Sequence, residues 1–326
     1  MTSTASKTLE GALIAFARTA IHDDCQLFVR EFVNIEDLDT GTPIHFTLWP
    51  KQLDALKAFH DNRLVVVLKA RQLGLTWLAL AYAVWCLIAK PGFRVVGLSR
   101  GENEARELVR RAKFILRHLP SWLCVQGNVA SDGRVAWDGS TEQIRFTHPN
   151  GEDGAFISFA ASQDSGRAFT ASLVVIDEWA FQQWAKDIWT AAYPTINRPG
   201  GGKVIGLSTG KRGTFFESVW RKARAGANTF FPSSSTGGQT LAGLPNGGKR
   251  QSATYRTRGS KSIQRMRRTL SLPARVLRFL SSLMRFTPAL IGCGIPREIG
   301  RLSAPTTQAT SQGLAASGMR LALMVG

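Results

Sequence analysis

The sequence predicts an α/β fold, a mainly parallel sheet flanked by helices on both faces, followed by a long basic tail of different texture. Three observations predict it. Runs of β-branched residues and Leu recur at Leu64–Lys69, Arg94–Leu98, Leu173–Ile176 and Lys203–Leu207. Segments of helix length lie between them, and each run ends on a polar or glycine-containing loop. Continuous apolar strands alternating with helices are the pattern of a parallel sheet, because its crossover helices cover both faces.

Residues 1–62 open with a helical segment, and Leu48-Trp49-Pro50-Lys51-Gln52 leads into a second helix near Asp54–His60. Leu64–Lys69 reads as a strand buried on both faces. The loop Ala70–Gly74 follows, then an apolar helix over Thr76–Ala89 that Lys90-Pro91-Gly92 closes. Its uninterrupted apolar run, Trp77–Ala89, has 13 residues, too few to span a bilayer and suited to a buried helix. Arg94–Leu98 is the next strand. Glu102–Leu119 carries Ala105, Leu108, Val109, Ala112, Ile115 and Leu116 at helical spacing. Residues 131–162 predict short antiparallel strands with Asp-Gly and Asn-Gly turns. Strand Leu173–Ile176, helix Asp187–Ile196, strand Lys203–Leu207 and helix Phe215–Arg224 complete the alternation. No internal repeat is present.

After about Phe231 the texture changes. Residues 233–262 are rich in Ser, Gly, Thr, Gln and Arg, and a basic, partly amphipathic stretch runs over Ile263–Phe286, broken by Pro273. Organisation is therefore expected as a helical lead-in at 1–42, a catalytic domain at 43–232 and a basic low-complexity, disordered tail at 233–326. Charge follows the same division. The whole chain carries +18, yet residues 1–230 hold 27 Lys+Arg against 22 Asp+Glu, and residues 231–326 hold 14 against the single Glu298. Net charge of this sign favours a polyanionic partner, most simply nucleic acid. The four Cys (Cys25, Cys86, Cys124 and Cys293) form no CxxC pair, which argues against a zinc site or a disulfide framework. Met1–Glu10 lacks the apolar core of a signal peptide. A cytoplasmic protein with no membrane contact is expected.

Three motifs carry chemistry. The first is Lys69-Ala70-Arg71-Gln72-Leu73-Gly74-Leu75-Thr76. A strand delivers the chain to a loop and a helix begins at its end, so loop N–H groups and the helix N-terminus form an anion cradle. Gly74 lets backbone approach a phosphate, and Thr76 stands where a hydroxyl binds Mg2+. The general phosphate-loop pattern, G-x-x-x-x-G-K-[ST], is missed twice: Lys69 replaces its first Gly and Leu75 its Lys. Taken alone, the octet also fits an ordinary strand-to-helix turn. The second motif is Leu173-Val-Val-Ile-Asp177-Glu178. After four buried β-formers, Asp177 is suited to hold Mg2+ through water and Glu178 to orient and deprotonate an attacking water. A strand ending in an acidic turn is the plainer alternative. The third is Gly206-Leu-Ser208-Thr209-Gly210, whose hydroxyls at a strand end suit sensing of a terminal phosphate; Ser-Thr-Gly is also a common loop. All three stand at carboxyl ends of predicted parallel strands, where ligands collect in open α/β sheets.

Together the runs LWPKQ, VVVLKARQLGLTWLAL, SGRAFTASLVVIDEWAF and GLSTGKRGTFFESVW, over roughly residues 43–230, closely resemble the ATPase domain of phage terminase large subunits. In that family K-x-R-Q-x-G-x-T/S is the phosphate loop, with its lysine moved to the start. The resemblance implies a P-loop NTPase of the ASCE, RecA-like class, with ATP and Mg2+ as cofactors. It implies that Lys69 supplies the ammonium that Leu75 cannot, that Arg71 adds a second cation, and that Asp177 and Glu178 are the metal-binding and catalytic carboxylates. Ser208 and Thr209 become the coupling motif and Gln52 the adenine-recognising glutamine. An arginine finger acting in trans is expected, and Arg100, Arg106 and Arg167 are its candidates; in the Arg167 segment Ala168 replaces the family's Gly. Double-stranded DNA, a portal protein, a terminase small subunit and a homo-oligomeric ring are the partners implied, within a host bacterial cell. The aromatics Trp179, Phe181, Trp184 and Trp189 read as packing of a helix on the sheet rather than as a DNA-stacking surface.

A full terminase large subunit continues into a nuclease domain that needs three or more carboxylates around two metal ions. One carboxylate in residues 231–326 does not suffice, so loss of the nuclease is expected, through a change of reading frame near Pro232. Codons for Thr236–Leu241 read from their third bases permit Trp-Trp-Ala-Asp-Pro, an aromatic, Asp-Pro segment of the kind the family has there. The leading expectation is an ATP-driven DNA-translocating domain. The alternatives are an inactive prophage remnant, a basic nucleic-acid-binding protein that uses the Arg-rich region 249–285, and a helicase, which usually keeps Gly-Lys-Thr in its loop.

Overall fold

A computed structural model of the chain describes residues 2–127, 134–162, 171–196 and 201–235. The chain divides into two compact units, Glu10–Thr254 and a second formed by Met1–Leu9 with Tyr255–Gly326. Of the second unit only 2–9 is described, as the opening turns of helix α1 (Thr2–Asp23). All other described elements belong to the first.

Among the described residues nine strands form one sheet. They are β3 (Leu64–Lys69), β4 (Arg94–Ser99), β5 (Cys124–Gln126), β6 (Val135–Gly139), β7 (Gln143–Thr147), β8 (Asp153–Ala160), β9 (Leu173–Ile176), β10 (Lys203–Ser208) and β11 (Phe231–Ser235). Their spatial order is β11-β3-β10-β9-β4-β8-β7-β6-β5. The six strands from β11 to β8 are parallel. The fold class is the one the sequence predicts, and the four apolar runs are its centre.

Side-chain alternation divides each central strand between two cores. Leu64 and Val66 of β3, Val174 and Ile176 of β9 and Val204 of β10 join one cluster with helices α6 (Ala185–Ile196) and α7 (Phe215–Arg224). Trp179 centres it, fully buried against Trp189, Phe215, Phe216 and Phe230. The aromatics after the acidic pair are thus packing groups, as expected. The intervening residues, Val65 and Val67, face the other side. There helix α4 (Leu75–Ala89) is buried at every position, flanked by α2 (Cys25–Phe32), α3 (Pro50–Asp61) and α5 (Glu102–Arg117). Neighbours on all sides explain why α4 is apolar throughout rather than striped. Among the described residues no helix is long and apolar enough to cross a membrane.

The structure departs from the sequence reading in three places. β11 pairs with β3 through Ser235, so residues 233–235 are sheet and not the start of the tail, and the boundary expected at 232 falls inside a strand. Phe-Pro-Ser-Ser-Ser carries no apolar period because it is an edge strand among the described residues, a position where Pro is tolerated. Second, β1 (Asn34–Glu36) pairs with β2 (Pro43–His45), straddling the expected boundary at 42, and Trp85 Nε1 of α4 donates to Ile21 O of α1 at 2.8 Å. Residues 10–42 of the lead-in therefore belong to the same compact unit as the sheet. Third, β6, β7 and β8 are antiparallel as predicted, but β8 joins β4 in parallel and β5 joins β6 in parallel, which merges them into the main sheet. The Asn150-Gly151 turn is present, with Gly151 at φ 80°; Asp132-Gly133 lies outside the described residues.

Candidate functional site

Strand β3 lies between β11 and β10, with β9 one place further. The loops leaving β3, β9 and β10 therefore converge at one edge of the sheet. Residues 70–74 connect β3 to α4. Two of them are left-handed, Gln72 at φ 59° and Gly74 at φ 66°. Left-handed residues turn successive N–H groups towards one concave side, which is how a backbone cradles an anion. Gly74 is the residue before α4, and no side chain caps that helix. The first N–H groups of α4 are thus left for a ligand.

Gln52 braces this loop. It is 3% exposed; its Oε1 accepts from Trp49 N at 2.9 Å, and its Nε2 donates to Leu73 O at 2.8 Å. Both polar ends of the side chain are engaged by backbone. A Cβ on Gly74 would stand 3.1 Å from Gln52 Nε2, with Phe46 just beyond. The loop is packed on its outer side by the lead into α3.

Lys69 turns inward. Its Nζ lies 3.1 Å from Thr76 Oγ1, 3.1 Å from Asp177 Oδ1 and 3.0 Å from Glu178 Oε1, and its side chain is 10% exposed. Thr76 Oγ1 donates to the same Asp177 oxygen at 3.1 Å. One ammonium, one hydroxyl and two carboxylates, drawn from two segments about a hundred residues apart in sequence, thus form a single cluster. The two carboxylates tolerate each other because Lys69 neutralises one of the charges and bridges both.

The turn after β9 is held from several directions. Glu178 is itself left-handed, at φ 49°. Phe181 N donates to Glu178 O at 2.8 Å, and Gln182 Nε2 donates to Asp177 O at 2.9 Å and Leu98 O at 3.3 Å. Ala180 N donates to Ser208 Oγ at 3.0 Å. Ser208 is fully buried, and its hydroxyl supports the acidic turn. Thr209 is the member of its pair that reaches the cluster: its N and Oγ1 are 3.5 and 3.4 Å from Glu178 Oε2, contacts long enough to shift.

Of the sequence candidates, the structure brings together Lys69, Thr76, Asp177, Glu178 and Thr209, with Ala70, Gln72, Leu73, Gly74 and Leu75 forming the loop and helix start beside them. Ala70 N donates to Ser235 O at 3.1 Å, which anchors the loop to β11. Arg71 is exposed, outside the cluster, with no ion pair among the described residues. Arg100 is paired with Glu104, and Arg106 with Glu102 and Glu142. Arg167 lies outside the described residues. Gln182 was not foreseen. A Gln five residues beyond Asp177 has no spacing signature, and its partners are backbone carbonyls of β4 and of the acidic turn itself.

The oxygen donors fit a hard divalent cation of the Mg2+ kind. Mg2+ typically takes one or two carboxylates, completing its shell with phosphate oxygens and water, and Asp177 with Thr76 offers such a pair. Among the described residues no group of three or more His, Cys, Asp or Glu forms a closed metal cage.

Residues 66–262 match the family model of the terminase large subunit, T4-like-virus type, N-terminal. That span runs past Pro232, the position at which a change of frame was expected. Among solved structures, the large terminase ATPase domain of Thermus phage P74-26 is 19% identical, over 54% of this chain and 70% of that one, with a TM-score of 0.41. The HK97 bacteriophage large terminase is 13% identical, over 83% and 53%, with a TM-score of 0.49. The large terminase of a thermophilic bacteriophage, in complex with ADP, is 16% identical over 58% and 46%, with a TM-score of 0.44. The chain spans about half the length of these last two proteins.

Proposed function

Since this chain belongs to the terminase large-subunit family, T4-like-virus type, by the match of its N-terminal domain over residues 66–262, we propose that it hydrolyses ATP to drive translocation of viral double-stranded DNA. The observation that carries this reading is the convergence of Lys69, Thr76, Asp177 and Glu178 within 3.1 Å contacts at the edge of the sheet.

The residues divide the work as follows. Backbone N–H groups of 71–75 and the uncapped start of α4 bind the phosphates. Lys69 supplies the cation that the general motif places one residue before its hydroxyl. Its four-carbon stem lets the ammonium swing from the carboxylates to a phosphate oxygen. Thr76 and Asp177 would hold Mg2+, which when bound neutralises phosphate charge and aligns the triphosphate. Glu178, freed as Lys69 swings away, orients the attacking water and accepts its proton. Thr209, in loose contact with Glu178, senses whether that carboxylate is engaged. Gln52 and Gln182 are positioning residues, one for the phosphate loop and one for the acidic turn. Base recognition by Gln52 would require it to release Leu73 or Trp49, so its first effect is on loop shape. Arg71 is exposed and placed to meet a phosphate or a neighbouring copy.

Partners follow from the family: duplex DNA as the moving substrate, with a portal protein, a small subunit and further copies of the chain in a ring. Nuclease activity is not part of the proposal, because residues 231–326 contribute only Glu298.

The test is Mg2+-dependent phosphate release by the full chain. Glu178→Gln is expected to reduce turnover by about 10²–10⁴-fold, the usual contribution of a general base, while nucleotide affinity stays within a few fold. Turnover that survives this substitution would sink the assignment. Nucleotide binding without turnover in the parent protein would favour the inactive-remnant reading instead.

A further inference from the structure

Beside the catalytic cluster lies a groove that the reaction above does not use. It is a cavity of about 570 Å³ between the loop following β10 and helix α7. Its floor is apolar, formed in part by Leu68 and Trp220, and its rim is cationic, formed by Lys211, Arg212, Arg221 and Arg224. One carboxylate, Glu217, reaches the same space and is already committed: it accepts from Gly213 N at 2.7 Å and from Arg221 Nε at 2.9 Å. Lys211 Nζ rests 5.1 Å above the Phe181 ring. Arg212 and Arg224 are exposed and make no ion pair among the described residues. Among the described residues, four cations thus face one paired carboxylate.

Uncompensated like charges around one groove repel each other, and a polyanion relieves that repulsion while releasing its own counterions. The chemistry favours a phosphate backbone. Guanidinium groups match phosphate geometry in a fork. Trp220 is half-buried and packed on the core, so its ring does not project for insertion between bases. Contacts of this kind position a duplex without reading its sequence. The groove is also joined to the hydrolytic cluster through the chain itself. Gly210 alone separates Lys211 from Thr209, and Thr209 contacts Glu178.

We propose that this groove holds the sugar–phosphate backbone of duplex DNA, and that the loop Thr209–Arg212 conveys its occupancy to Glu178. The coupling half rests on the hydrolytic reading above; the binding half does not.

The experiment uses the full chain and the double variant Arg212→Ser/Arg224→Ser, with a labelled duplex oligonucleotide titrated at several salt concentrations. The basic tail contributes equally to both proteins, so their difference isolates the groove. The expected result is an affinity lower by on the order of tenfold or more, and a log-affinity against log-salt slope shallower by about two contacts' worth, roughly 1.8. Basal ATP turnover and KM for ATP stay unchanged, and stimulation of turnover by duplex is lost. Unchanged affinity and slope would overturn the proposal. A raised KM for ATP with duplex binding intact would also overturn it, assigning the groove to the nucleotide. Polyglutamate bound as tightly as duplex, and weakened equally in the variant, would make the partner an acidic protein and overturn it as well. If the parent hydrolyses no ATP, the hydrolytic reading has failed, and the binding comparison still decides the groove.

Discussion

Gly74 stands at φ 66° with its α-hydrogen turned to Gln52 and Phe46. Left-handed backbone costs a residue with a Cβ about 1 kcal/mol relative to Gly, and the 3.1 Å approach to Gln52 Nε2 adds to it. Gly74→Ala is therefore expected to lower the melting temperature by a few degrees in a thermal scan. Nucleotide affinity should fall by more than that loss alone implies, because the substitution bends the loop that binds phosphate. Equal nucleotide affinity in calorimetry would refute the role of the loop. The thiols supply a second prediction at this scale. Burial pushes Cys25 up to about 12, with the charge of Asp24 adding to it, and burial likewise pushes Cys124 up to about 12 and Cys86 up to about 11. The thiolate is the reactive form, so at pH 8 these three groups are almost wholly protonated as well as covered. In a Cys293→Ser protein, Ellman's reagent should label none of them until denaturant is added.

At the scale of elements, the sheet is tied to its covering layer by close approach. Gly206 sits in β10 directly under Trp179, and a Cβ there would come within 2.4 Å of the indole ring. Trp179 follows Glu178 in the chain, so the contact that packs the core also sets the height of the acidic turn. Gly206→Ala must move the ring, β10 or both, at a cost of about 1–3 kcal/mol. Urea denaturation should read that loss, and turnover should fall with it. Full turnover in a destabilised protein would separate the packing from the catalytic turn. Ser208, two residues on, reaches the same turn through Ala180 N. A strand read from sequence as a carrier of phosphate-sensing hydroxyls is thus equally a support for the neighbouring strand's carboxylates.

At the scale of the whole molecule, charge and acid content divide the chain unevenly. Residues 231–326 hold 14 basic residues and one carboxylate. Nuclease chemistry with two metal ions needs several carboxylates at close range. Incubation of the full chain with supercoiled plasmid and Mg2+ or Mn2+ is expected to leave the plasmid uncut. Nicked or linear product that disappears on chelation would show that the required ligands come from elsewhere in the chain.

The sequence alone was enough for the alternation of strands and helices, for the buried α4 and for the three motif positions. Each of these is local: β-branched runs, an apolar stretch of limited length, and loops at strand ends impose themselves on any fold that contains them. The leading Lys69 was also legible in the sequence, through the resemblance of Lys69–Thr76 to the family's phosphate loop, and its phosphate-binding role remains part of the proposal. Tertiary structure alone decided the rest. β11 is legible only through its pairing with β3, because a short edge strand with Pro232 and three serines has no apolar pattern to display. Gln52 is committed to Leu73 and Trp49, Ser208 to Ala180, and Gln182 to carbonyls of β4 and of the acidic turn. Those assignments depend on which backbone groups come within 3 Å of a side chain once distant segments pack, and a one-dimensional spacing does not encode that distance.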